Sequence, residues 1–233
     1  MDKLDRKELK HDAFLEEVQH TVEYAGQHKK QIVQYGSITL AVLVIGGLIY
    51  WYMGAQTSQR QVALKEALSS YESAVGAQST PFMKVYATKE EREKAIRTDL
   101  GKVISAYPGS DEAAICKYYI AVYNADEGKL GDAEKLWKEV SEEGNKNYRA
   151  LAKYSLAQLY AAQNKTGEAE KLLRELADSP TPVLSKEQAQ IMLARVIKDS
   201  KPDEARKLLD PLKTSRAAVS RVALGLLGEM QKK

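Results

Sequence analysis

The chain has 233 residues, a formal net charge of +3 and 44% hydrophobic residues, enough for one domain with a proper core beside any targeting segment. Basic and acidic residues balance throughout, six against seven over residues 1–53 and 29 against 25 over the rest, which argues against nucleic acid or another polyanion as partner. A single cysteine, Cys116, excludes an intramolecular disulfide and any thiolate-rich metal site.

Residues 1–34 read as an amphipathic arm. Leu15, Val18, Val22 and Ala25 fall at alternating spacings of three and four, with Glu16, Glu17, Gln19 and Glu23 off the stripe. Two readings fit it: a helix lying solvated or on a membrane surface, or a docking face for a partner. All three histidines (His11, His20, His28) lie here, spaced nine and eight apart, whereas a helical metal site needs neighbours three or four apart. No metal site is expected.

The stretch 35–53, YGSITLAVLVIGGLIYWYM, holds no charge. As a helix it spans roughly 28 Å, close to the hydrocarbon thickness of a bilayer. Tyr35 at one end and Tyr50, Trp51 and Tyr52 at the other suit the two headgroup layers. Ser37 and Thr39 can return their hydroxyls to backbone carbonyls one turn back. A transmembrane helix is therefore expected. The preceding 34 residues carry six lysines and arginines, and the equal window Gly54 to Ala87 carries three. The positive-inside rule then puts the N-terminus in the cytoplasm and everything after Met53 across the membrane.

Residues 54–88 read as a stalk helix and a loop. Val62, Leu64, Ala67, Leu68, Tyr71, Ala74 and Val75 form an apolar face, and Gly76 to Thr88 mixes glycine, proline and polar residues. Helix resumes over Lys89 to Tyr107, with Ile96, Leu100, Val103 and Ile104 on one face. It ends at Pro108-Gly109, where proline cannot continue it and glycine accepts the reversal.

From there the sequence repeats itself. DAEKLWKEV (132–140), EAEKLLREL (168–176) and EARKLLDPL (204–212) align without a gap, with Ala133, Ala169 and Ala205 each 36 residues apart. A fixed period of this length signals a solenoid. Ala121, Ala157 and Ala194 stand twelve, twelve and eleven residues before those alanines. Small residues at these points let two antiparallel helices approach, while Trp137, Leu173 and Leu209 fill the next turn. Gly128 and Asn164 sit in the reversals, where positive φ is expected. Arg216 to Met230 would close the open end of the stack.

These residues resemble the tetratricopeptide repeat. Ala157, Tyr160, Ala169, Leu173 and Pro180 follow its pattern, with Asn164 at the turn. The neighbouring unit has Ala121, Gly128, Ala133 and Trp137 but Asn124 where tyrosine is expected. The third has Ala194 and Leu209 with Ile197 in that place and one residue deleted. Ile96, Leu100, Val103 and Pro108 suggest an earlier partial unit. The fold class expected is all-α: a single N-terminal transmembrane helix, then a tetratricopeptide-like α-solenoid over residues 89–233.

Arm, span with its Tyr50-Trp51-Tyr52 run, Gln/Ser-rich stalk and repeats together resemble the bacterial family of ancillary Sec-translocon subunits. They are also similar to the periplasmic repeat domain of the cell-division coordinator. The resemblance implies a bacterial inner-membrane protein, N-terminus cytoplasmic and C-terminal domain periplasmic. Its implied partners are translocon subunits, a periplasmic chaperone and nascent secretory chains.

No phosphate-cradling glycine loop occurs, and no histidine lies outside the arm. Glu142 and Glu143 are adjacent and point apart on a helix. Catalysis, a cofactor, a small-molecule substrate and nucleic acid are not expected; a protein-interaction scaffold is, with an envelope-assembly or cell-division adaptor as the alternative and an enzyme accessory subunit behind it. The candidate peptide-binding groove is one row of Tyr118, Tyr154 and Ile191 beside a second of Val122, Gln158 and Arg195, with Lys198 nearby. Tyrosine offers contact area at modest entropy cost and arginine holds a carboxylate. The competing reading is that the tyrosines pack between neighbouring units.

Overall fold

Lys29–Tyr71 forms one continuous 43-residue helix, α1, which no proline interrupts. The computed structural model describes residues 29–76 and 83–231; the amphipathic stripe and histidines of the arm lie outside them. The chain divides into two units, 1–58 and 59–233.

In the first unit, Lys29–Leu48 is long and apolar enough to cross a membrane by length and composition, and none of it is buried. Leu43 is 67% exposed and Tyr50 82%. Ser37 and Thr39 are satisfied within the helix: Ser37 donates to the Gln34 carbonyl and Thr39 to that of Tyr35, both at 2.9 Å.

The second unit is a run of helices. After the last turns of α1 come two-residue strands β1 (Ala74–Val75) and β2 (Val85–Tyr86), then α2 (Lys89–Ala106), α3 (Asp111–Asp126) and α4 (Leu130–Glu143). Next are α5 (Lys146–Ala162), α6 (Thr166–Asp178), α7 (Lys186–Ile197), α8 (Pro202–Leu209), a 3-10 turn (Asp210–Thr214) and α9 (Ala217–Gln231). Several boundaries have a local cause in the sequence. Thr88, Ser110 and Asn145 accept backbone N–H groups at the starts of α2, α3 and α5, and Ser185 with Gln188 makes a full capping box on α7. The reversals before α4 and α6 use Gly128 at φ 74° and Asn164 at φ 62°, the left-handed geometry expected of them. Pro202 occupies the first turn of α8, where its missing N–H is harmless, and Pro211 cuts that helix short into the 3-10 turn.

From α2 onward, each helix packs mainly on its neighbours in the chain. Ala121, Ala133, Ala157, Ala169, Ala194 and Ala205 are all fully buried. They lie on the packed faces of three helix pairs, α3–α4, α5–α6 and α7–α8. The end of α1 and α2 make an earlier pair, with Ala67 packed among Ile96, Leu100 and Val103. Asn124, the departure from the repeat pattern, is 3% exposed and satisfied, since its Oδ1 accepts from Arg97 Nη2 at 2.9 Å.

Two features escape the sequence reading. α1 ends at Tyr71, so Ala74 and Val75 of the expected apolar helix face instead pair in parallel with Val85–Tyr86. Arg92 anchors this turn, donating to the Ser73 carbonyl at 2.8 Å and the Tyr71 carbonyl at 2.7 Å, which would otherwise lack partners at the helix end. The second feature is a lysine just before each second helix: Lys129, Lys165 and Lys201, 36 residues apart. Lys129 reaches Glu93 at 3.3 Å and Lys201 reaches Glu170 at 2.7 Å, each on the second helix of the preceding pair. Lys165 lies 5.4 Å from the centre of the Tyr160 ring, whose hydroxyl donates to Glu134 at 3.1 Å. The lysine contacts thus follow the repeat, and two of the three are ion pairs to the preceding helix pair.

Candidate peptide-binding face

The first helices of three pairs, α3, α5 and α7, display the candidate groove residues, with Lys198 just past the end of α7. Tyr118 on α3 is half-buried, with its ring 5.5 Å from that of Tyr148 on α5 at 73° and 5.7 Å from Tyr119 at 82°. Its hydroxyl is hydrogen-bonded with Ser155, and burial pushes its pKa up despite that bond. Val122 packs half-buried into the same α3–α6 cluster. Tyr154 and Ile191 are half-buried in the next cluster, toward the C-terminus. Tyr154 is close enough to Arg195 for the guanidinium to favour its phenolate, though burial outweighs this and raises its pKa. Gln158 and Arg195 are exposed, and Lys198 pairs with Glu229 at 2.8 Å.

The structure therefore splits the expected rows by depth. Tyr118, Val122, Tyr154 and Ile191 lie in the seams between successive first helices with part of each side chain still outside, and Gln158 and Arg195 are fully displayed. It also adds residues that spacing missed. Tyr71 of α1 stacks on Tyr119 at 4.8 Å, and Tyr119 lies 6.4 Å from Tyr148. Tyr71, Tyr119, Tyr118 and Tyr148 thus form a ladder of tilted rings across three first helices. Each such pair adds about 0.5–1.5 kcal/mol beyond area burial. Burial, followed by the hydrogen bond with Tyr119, pushes Tyr148 well above the ordinary tyrosine value. The signal available in the sequence was the count of 13 tyrosines and the Tyr118-Tyr119 doublet.

The remaining reactive groups have structural roles. Ser70 is fully buried, donates to Asp99 at 2.6 Å and accepts from Lys84 at 3.3 Å. Burial opposes ionisation of Asp99, but the bonds from Ser70 and Lys102 outweigh it and hold the carboxyl below its usual range. A serine with no exposure and its proton committed to a carboxylate is a latch for the β2 segment rather than a nucleophile. Beside it lies a cleft of about 450 Å³ lined by Ala63, Ala67 and Val103 together with Glu66, Lys84 and Lys102. Cys116 is fully buried; burial, then Glu112, pushes its thiol up to about 12, an unreactive state. Among the described residues no group of three or more His, Cys, Asp or Glu could hold a metal.

The family model of the tetratricopeptide repeat-like domain matches residues 29–182. The chain belongs to this family. The match takes in α1 through α6, so the tetratricopeptide repeat-like assignment covers the apolar helix and the first three helix pairs. No curated protein matches the chain, and no solved structure does. Tetratricopeptide repeat-like stacks mediate protein–protein contacts, and a face of half-buried aromatic rings edged by Gln158 and Arg195 has the composition such contacts use.

Proposed function

We propose that this chain is a membrane-anchored protein-interaction scaffold, with α1 as its single span and the helix pairs as its binding domain outside the cytoplasm. The observation that carries the reading is the apolar run of α1. Large side chains such as Leu40, Val42 and Leu43 are 62–67% exposed over a length that fits a bilayer. In water so wide an uncovered surface would drive aggregation; in lipid it is at rest. The residue pattern of arm, span, aromatic run and repeats further supports a place in a bacterial inner membrane beside the protein-translocation channel. Its partners there would be channel subunits, a periplasmic chaperone and emerging secretory chains. Catalysis forms no part of this function.

An envelope-assembly or cell-division adaptor is the second reading, favoured by the likeness of the repeat pattern to that of the division coordinator. A photocrosslinking residue at position 158 or 195, used in native membranes, separates the two. Capture of channel subunits or a periplasmic chaperone supports the first reading, and capture of division proteins the second. A crosslink only to cytoplasmic proteins would refute both.

A further inference from the structure

The last helix, α9, closes the stack, burying Ala223 and Leu226 against it. A helix face that no other described element covers is ordinarily polar, and that of α9 is not. Leu224 is 53% exposed and Val222 41%, and Ala218 and Gly225 are exposed beside them. A Cβ built on Gly225 would meet nothing within 4 Å.

Only two described residues of α9 are charged, Arg221 and Glu229, and they stand four residues to either side of Gly225. Both are exposed. Arg221 forms no ion pair with any described residue, and Lys198 engages Glu229 through Oε2 alone. If two such helices lie antiparallel about a two-fold axis at Gly225, each Arg221 falls opposite the other chain's Glu229. The glycine leaves the space for the arginine to reach across. The pattern is self-complementary, as an isologous contact requires.

We propose that the outer face of α9 is a homodimer contact between two copies of this chain, centred on Gly225 and closed by two reciprocal Arg221–Glu229 pairs.

The test uses the full chain in detergent, with mass measured by light scattering over a concentration series. The wild type should pass from monomer to dimer. Arg221→Glu and Glu229→Arg alone should each place like charges opposite one another and weaken dimerisation at least about tenfold. An equimolar mixture of the two variants restores both pairs in a heterodimer and should recover it. The mixture guards against misfolding, since damaged chains would not rescue each other. Gly225→Cys should oxidise to a covalent dimer, while buried Cys116 stays reduced. A wild type that remains monomeric, single variants that dimerise normally, or a mixture that fails to recover each overturns the proposal. Crosslinking from position 224 to a different protein, with no dimer, would assign the face to that protein instead.

Discussion

Ala169 has no exposed surface and sits where α5 and α6 touch. Ala169→Glu forces a carboxylate without a partner into that seam, at a cost of several kcal/mol, comparable to the whole stability of a domain. Thermal unfolding of a fragment of residues 59–233 should show a fall of many degrees or no cooperative transition; a melt within a degree or two of wild type would put the helix register in error. The groove residues divide by the same logic of depth. Tyr118→Ala removes a half-buried ring that touches two others and a hydroxyl bonded with Ser155, so it should lower stability by about 1–3 kcal/mol. Gln158→Ala and Arg195→Ala touch only exposed side chains and should stay within about 0.5 kcal/mol. If both of these leave partner capture unchanged while folding normally, binding lies elsewhere. Equal stability losses in all three variants would contradict the division by depth.

Between elements, the periodic lysines bear on how one helix pair is held to the next. Glu170 on α6 receives Lys201 from the turn before α8 and Arg174 from its own helix, and these bonds hold its carboxyl below the ordinary glutamate value. A depressed carboxyl contributes stability that is fully present above the unfolded value of about 4.5 and is lost as pH falls through the folded one. Lys201→Met should therefore cost about 0.5–1 kcal/mol at neutral pH, in the range of partly exposed pairs. Its deficit against wild type should shrink below pH 4.5 and with added salt. Denaturant titrations at pH 7 and pH 3.5 check this; a deficit that persists unchanged at the lower pH would assign it to lost packing of the lysine stem.

At the scale of the whole chain, the exposed apolar run of α1 and the count of basic residues around it determine the expected topology. A reporter active only outside the cytoplasm should be active when fused after residue 233 and silent when fused within residues 1–30. The opposite pattern would reverse the orientation, and silence at both ends would remove the span. The proposed anchoring also bears on the α9 contact, because chains confined to one membrane would meet at a higher effective concentration than free ones.

The sequence by itself determined whatever depends on near neighbours and on the 36-residue period. That includes the helices, the six buried alanines, the positive φ at Gly128 and Asn164, and the uncharged run of α1. These are set by spacings of three and four along one helix, by turn geometry and by chain length, all of which are written locally. The tertiary structure decided what depends on residues far apart in the chain. The groove rows could be placed on the first helices from their spacing, but their division into half-buried tyrosines and displayed Gln158 and Arg195 followed from packing between units. The meetings of Tyr71 with Tyr119, across 48 residues, and of Tyr119 with Tyr148, across 29, had no periodic signal to announce them. The same holds for the two-residue strands pinned by Arg92, too short to leave a pattern, and for the outer face of α9. A helix shows its apolar residues in sequence; which of them find a neighbour is settled only when the other helices have taken their places.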